Sequence, residues 1–456
     1  MAETQLVRRL GFVSAAALVV SNMIGTGIFA TSGILAGDFG TPGLLISIWL
    51  VGGALAVVGA ICYSELAVNF QRSGGEYVYL TEAWGPSWGF VNGWVSFFAG
   101  FSAPIAATAL ALSAYLGYFN PSVRSEVEPA WQFGIVALRF GPAQLIACGV
   151  VAAFTVLNVF GIETAARAQN ALTAVKLAVL GLLLVLGFAI GAGDWSNFSQ
   201  TAIRTSTLSL PEQFALSLVF VYWAFSGWNA AVYVAEEIRE PEKTLPRSMI
   251  AGALFVIALY VALNCLFVYA NPLETMKGEL AVGAQAAESL FGSAGGAFFA
   301  IAMAFSLLAT INAMCVVGPR VYYAMARDGA FFAAAARVHP RWKTPWVAIV
   351  AQGACCCALI VTGAFESLGY YIGFTLWLFS AFSAIALLRF RRRPGWRKLP
   401  ATSFAFPLLP LVYTLTNVFI FIYFVSQRRW EALAGLGTIL AGAGAYAWVR
   451  RAGAES

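Results

Sequence analysis

Ser21-Asn22-Met23-Ile24-Gly25-Thr26-Gly27-Ile28-Phe29 lies inside an apolar run that begins at Leu10 and continues to about Ala36. Without its glycines the run reads as one ordinary membrane-spanning helix. Gly25 and Gly27, with a β-branched threonine between them, weaken a helix at a depth where water cannot replace lost hydrogen bonds. Open backbone there is tolerated only where it is packed in protein or lines a wet cavity. A break would leave free carbonyls at the end of the first half and free amides at the start of the second. The first suit an ammonium and the second a carboxylate. The competing reading is that Gly-x-Gly merely lets two helices approach closely, as small residues do in membranes.

The rest of the chain decides the setting. Its 456 residues are 60% hydrophobic, 14% aromatic and only 11% charged, which excludes an ordinary soluble domain. Apolar runs of 18 or more residues recur along its length and predict twelve spans. They cover approximately 10–36, 43–69, 88–118, 142–161, 167–192, 212–235, 247–271, 294–325, 345–364, 367–389, 403–425 and 431–449. No stretch outside them is long enough for a second domain, so residues 1–456 read as a single transmembrane unit. Arg8 and Arg9 precede the first run, but no small-residue site follows that would mark a cleavable leader.

The net charge of +6 does not point to nucleic acid, because the basic residues sit in short loops between spans. With the N-terminus taken as cytoplasmic, twenty Lys and Arg fall on that side and six on the other, leaving Lys176 inside a span. The positive-inside rule therefore places both termini in the cytoplasm. Seven cysteines lie mostly in apolar segments, and Cys355-Cys356-Cys357 are adjacent, so their side chains point apart and cannot share a metal. His339, the one histidine, falls in a loop. Nothing in the chain calls for a metal or a cofactor. An enzyme would need a nucleophile, paired acids or ligands at one depth, and a channel an open lined pore; neither pattern is present.

Trp223-Ala224-Phe225-Ser226-Gly227-Trp228-Asn229 interrupts the sixth span in the same manner. It stands five spans after the first interruption. Two broken helices at matching places in consecutive five-helix units predict an inverted repeat with the ligand between the breaks. The repeats read as residues 10–192 and 212–389, with two additional helices in 403–449.

Four motifs now resemble the amino acid–polyamine–organocation transporters, and within them bacterial members of the L-type amino acid transporter branch. They are Gly25-Thr26-Gly27-Ile28-Phe29 in the first span and Ser73-Gly74-Gly75-Glu76-Tyr77-Val78-Tyr79 in the loop after the second. Phe225-Ser226-Gly227-Trp228-Asn229 follows, with Glu236-Glu237 and Pro241…Leu245-Pro246 beyond it, and then Arg320 to Gly329 at the end of the eighth span. The resemblance implies an all-α polytopic fold of two inverted five-helix repeats plus two peripheral helices, with helices 1 and 6 discontinuous. It also implies alternating-access transport of L-amino acids without sodium. Two departures stand out. The third span carries Gly100-Phe101-Ser102-Ala103-Pro104 where animal members have an Arg-Pro-Ser-Ser-like stretch, and the 119–141 loop lacks the cysteine that would join a glycoprotein heavy chain. A chain that works without such a partner is expected; oligomeric state is not legible.

On this footing the amides of Thr26, Gly27 and Ile28 are expected to take the substrate carboxylate. Carbonyls near Met23 and Ile24, and those of Trp223 and Phe225, would accept from the ammonium, with Gly25 between the two sets. Ser226 and Asn229 complete the candidate set, Tyr260 is a further polar contact, and Trp223 resembles the aromatic gate of the family. Each has a bland alternative in packing. No acidic side chain lies near either break, which favours neutral substrates over the alternative of cationic amino acids or polyamines, by exchange or proton coupling. Glu65 reads as a structural residue at a helix end, and Glu236, Glu237, Arg239 and Arg247 as a solvated inner network. Lys176 is costly at its depth unless it snorkels or faces a partner. The resemblance implies the second, with its ammonium on carbonyls near Met23 and Ile24.

Overall fold

In a computed structural model, which describes residues 6–123, 131–133, 136–279, 281–362, 365–427 and 429–452, the first apolar run forms two helices, α1 (Phe12–Met23) and α2 (Gly27–Phe39). Their axes differ by 40° across Ile24-Gly25-Thr26. Ile24 is extended at φ −80° and ψ 93°, so the α1 hydrogen-bond ladder stops there. Continuous spans follow: α3 (Pro42–Asn69), α5 (Pro86–Leu116), α6 (Pro142–Val159) and α7 (Ile162–Ile190). A short helix α4 (Glu76–Trp84) sits between α3 and α5. The sixth apolar run again breaks, with α8 (Leu210–Ala224) passing through a turn into a 3-10 segment at Ala230–Glu237. Then come α9 (Pro241–Ala270), α10 (Val282–Phe291), α11 (Ser293–Arg327), α12 (Trp346–Thr362), α13 (Phe365–Phe390), α14 (Leu408–Gln427) and α15 (Arg429–Ala452).

These helices account for all twelve apolar runs. Six of them, α3, α5, α6, α7, α9 and α11, are each long and apolar enough to cross a bilayer unaided, and the α1–α2 pair makes a seventh span. The chain is a polytopic helical membrane protein. Of the 119–141 connection, residues 124–130 and 134–135 lie outside the described residues; its two short strands, Trp131–Phe133 and Val136–Leu138, pair antiparallel.

Two elements went unread in the sequence. The Ser73–Tyr79 motif is a turn into α4 rather than a loop. Gly74 and Gly75 adopt φ of +115° and +52°, and the chain reverses there before Glu76 starts the helix. A Cβ on Gly75 would come within 2.6 Å of the Tyr233 ring, so the turn is also pressed against the segment beyond the sixth-span break. In α5 the ladder widens to π-helical at Ser96–Ser102, just before Pro104, whose ring nitrogen cannot donate to the preceding turn.

Charged side chains gather at one end of the bundle. Arg320 makes a bidentate pair with Glu237 at 2.8 and 3.1 Å, both fully buried, while Arg327 meets Glu236 at 3.0 Å and Arg72 meets Asp328 at 2.7 Å. The reading of Glu237 as solvated is therefore corrected: it belongs to a sealed pair with a residue 83 positions away. Glu65 is equally buried. Its carboxylate takes both forks of Arg391 at 2.7 and 2.6 Å, the Trp396 indole N–H at 2.9 Å and the Leu399 amide at 3.0 Å. The pair fastens the end of α3 to the segment after α13. A buried carboxylate stripped of its cation is left uncompensated, a cost of about 3–5 kcal/mol. Arg391→Ala should therefore lower the midpoint of thermal unfolding of the detergent-purified protein sharply. Arg392→Ala, one exposed position along, should leave it in place.

Candidate functional site

Both breaks leave carbonyls without amide partners at a depth where each one must be satisfied. The described structure supplies partners from three neighbouring helices. The Lys176 ammonium, on α7, lies 2.7 Å from the Ile24 carbonyl, 3.3 Å from that of Ser21 and 2.9 Å from the Thr310 hydroxyl on α11. Thr310 is itself 3.0 Å from the Ile24 oxygen and 3.1 Å from that of Ser21. Three acceptors thus face the three ammonium N–H groups, and Lys176 is buried, so it does not snorkel. The Tyr260 hydroxyl, on α9, sits 2.7 Å from the Met23 carbonyl and 3.1 Å from that of Ala224. One phenol therefore stands between the ends of both broken helices.

The breaks also touch each other. A Cβ on Gly27 would lie 2.8 Å from the Ala224 Cβ and 3.6 Å from the Trp223 ring. Gly227, at φ +105°, would place its Cβ 2.8 Å from the Asn22 backbone. Both glycines are close-approach positions. Gly25 differs, because nothing stands within 4 Å of the place its Cβ would take. Gly25 and Thr26 are partly open, as are Trp223, Ser226, Gly227 and Asn229, whereas Met23, Ile24, Ile28 and Phe225 are buried. The partly open groups stand on the two breaks, around the open place at Gly25, and the buried ones are packed into the bundle.

That division redistributes the expected roles. The Ile24 carbonyl already accepts from Lys176, with the single Thr310 hydroxyl proton within reach of the Ile24, Ser21 and Ser306 oxygens, and the Met23 carbonyl is 2.7 Å from the Tyr260 hydroxyl. The Trp223 carbonyl takes the Ser226 amide at 3.0 Å. Phe225 turns inward, its ring 5.8 Å from Trp49 and 4.9 Å from Tyr260. Asn229 donates to the Tyr233 hydroxyl at 3.2 Å and reaches the Glu76 carboxylate at 3.4 Å. Trp223 flanks the space beside Gly27 and is half-buried. Sequence reasoning missed Thr310 and Glu76. Thr310 carries no signal of its own, since a lone threonine in an apolar helix is ordinary, and Glu76 was hidden inside a motif taken for a loop.

A ligand in this space would meet the free amide end of α2 and the partly open backbone around Gly25 and Ser226. Both suit a small zwitterion. Side chains at Gly25 and Gly27 therefore have opposite consequences. Gly25→Val should leave protein level and thermal stability near wild type while lowering substrate affinity at least about tenfold, because the branched side chain grows into the open space. Gly27→Val should instead lower stability, because Ala224 occupies the place its side chain needs. Ligand-binding calorimetry and thermal unfolding on the two purified variants separate the cases.

Comparison with known proteins bears on this arrangement. Residues 10–437 match the amino acid permease family. The chain is 28% identical to the human b(0,+)-type amino acid transporter 1 over 449 residues, spanning 96% of this chain and 87% of that protein. It is 28% identical to the serine/threonine exchanger of Bacillus subtilis over 420 residues, 91% of this chain and 90% of the exchanger. It is also 28% identical to the human large neutral amino acids transporter small subunit 2, over 97% of this chain and 80% of that subunit. With a broken first helix, a broken sixth run and a family match along nearly its whole length, this chain belongs to the amino acid permeases of the amino acid–polyamine–organocation superfamily and is an amino acid transporter, not an enzyme.

Proposed function

We propose that the protein is a sodium-independent, alternating-access transporter of neutral L-amino acids, working by exchange. The observation that carries the reading is the Lys176 ammonium held by the Ile24 and Ser21 carbonyls and Thr310. Those oxygens are the ones a small metal cation at the first break would need, and a fixed ammonium both occupies them and repels a second charge. The charge stays in the protein through the cycle instead of arriving and leaving with sodium. Exchange is favoured by the serine/threonine exchanger's likeness over nine-tenths of both chains. A neutral substrate side chain fits the partly open Trp223, Ser226 and Asn229, and among the described residues no carboxylate comes within 4 Å of a Cβ placed on Gly25. The substrate carboxylate lies at the amides of Thr26, Gly27 and Ile28, and its ammonium at backbone near Gly25 and Ser226.

The remaining features follow. Residues 10–192 and 212–389 form two five-helix units of opposite orientation, and the breaks move against each other as one unit rocks on the other. The basic end of the bundle, with both termini, faces the cytoplasm. The chain acts in the cell membrane without a disulfide-linked heavy chain. Counterflow in proteoliposomes tests the reading. Labelled neutral amino acid should accumulate when unlabelled substrate is trapped on the other side, and replacing sodium by choline should leave the rate unchanged. Lys176→Ala should lower that rate at least about tenfold with the protein still inserted, as expected for losing about 1.4 kcal/mol or more from the moving step. Strict sodium dependence would overturn the proposal.

A further inference from the structure

Three glutamates are buried among the described residues: Glu65, Glu76 and Glu237. Two of them carry a bidentate arginine, Arg391 on Glu65 and Arg320 on Glu237. Glu76 has no Lys or Arg within ion-pair distance among the described residues, although it is only 4% exposed. Its carboxylate instead collects neutral donors from several elements. The Tyr63 hydroxyl of α3 donates at 2.6 Å, the Ser380 hydroxyl of α13 at 3.0 Å and the Asn229 amide at 3.4 Å. Tyr233 and Asn92 also face it. The amides that open α4 do not help, since those of Tyr77, Val78 and Tyr79 donate to the carbonyls of Gly74 and Gly75. Among the described residues the titratable groups around it are phenols: Tyr63 on α3, Tyr79 on α4, Tyr222 on α8, Tyr233 in the 3-10 segment and Tyr413 on α14. Each stays neutral through the physiological range.

A buried carboxylate with no cation can shed its charge in one way, by taking a proton. We infer that Glu76 is a proton-binding site whose occupancy controls how firmly the second part of the sixth span is held. This rests on the transporter reading above. The proton adds to one carboxylate oxygen and no other bond is made or broken. The carboxyl then loses its charge, and the three contacts that Tyr63, Ser380 and Asn229 make to its Oε1 are no longer charge-assisted and weaken. Asn229 makes the longest contact, and it lies two residues beyond Gly227, where the sixth span turns against Asn22. Protonation therefore loosens the contact nearest the break. Access is close by. The turn that carries Glu76 is joined to Glu236 through Ser73, at 3.3 and 3.4 Å, and Glu236 lines an open crevice with Leu6, Arg8 and Arg327.

Two measurements test the assignment. Infrared titration of purified wild-type protein, without substrate, should show a protonated-carboxyl band that grows as pH falls and is absent from Glu76→Gln. Persistence of that band in Glu76→Gln would overturn the inference. In proteoliposomes, wild-type counterflow should rise as pH falls along a single-proton curve approaching about tenfold per pH unit. Glu76→Gln, a neutral mimic of the protonated form, should exchange at the fast level at every pH. Should Glu76→Gln not accumulate, Ser380→Ala removes one donor to the charged form and should move the wild-type midpoint up by about one pH unit. A flat wild-type profile, an unchanged limb in Glu76→Gln or an unmoved midpoint in Ser380→Ala would overturn the inference. Absence of counterflow by wild type at any pH would sink the transporter reading instead, while the infrared titration still judges the proton site.

Discussion

A helix opened in hydrocarbon leaves carbonyls that water cannot reach, and satisfying them is the constraint on which the rest of this structure depends. The first span gives up its ladder at Ile24, and the oxygens it frees are collected by Lys176, Thr310 and Tyr260. These three come from α7, α11 and α9, so the break cannot exist without all three helices in place. Conversely, Lys176 could not be buried without the break. An ammonium at that depth needs acceptors that an intact helix does not offer. The two expensive features satisfy one another.

The same logic explains how the sixth span is held. Ala224, the last residue of α8, shares the Tyr260 hydroxyl with Met23 of the first span. Gly27 and Ala224, and Gly227 and Asn22, are in contact close enough that only a glycine fits. Each break therefore lies against the other's backbone, and a shift in one is felt directly by its partner. The open space around Gly25 is what remains between them. The Trp223 ring stands beside it, near Gly27.

Much of this was legible in the sequence, for physical reasons that can be named. Apolar runs read out the spans because the bilayer fixes their length, and the Gly25/Gly27 pair and the single Gly227 read out the breaks because glycine weakens a helix. Lys176 was legible because a charge at mid-span has few excuses. What stayed hidden was the pairing. Arg320 and Glu237 stand 83 residues apart and Glu65 and Arg391 stand 326 apart, and no local pattern announces which charge meets which. For the same reason Glu237 looked like a solvated loop residue. Gly27 was ambiguous in a different way: a glycine placed for a ligand and a glycine placed for a neighbouring helix read alike. Only the distance to Ala224 tells them apart.

The two buried charges near the breaks differ in a way that bears on how the cycle is driven. Lys176 is tied to the first span by three short contacts, and losing any of them would strand an ammonium in the bilayer. It can only move together with α1, which makes it a fixed part of the frame. Glu76 has more neighbours but weaker obligations. Its partners are neutral hydroxyls and amides, none of which brings a compensating charge. An opposite arrangement, with the carboxylate salted to an arginine as at Glu65, would lock the sixth span as firmly as the first. One break therefore holds a buried lysine on its carbonyls and the other a carboxylate met by neutral donors, so the two are secured by different chemistry.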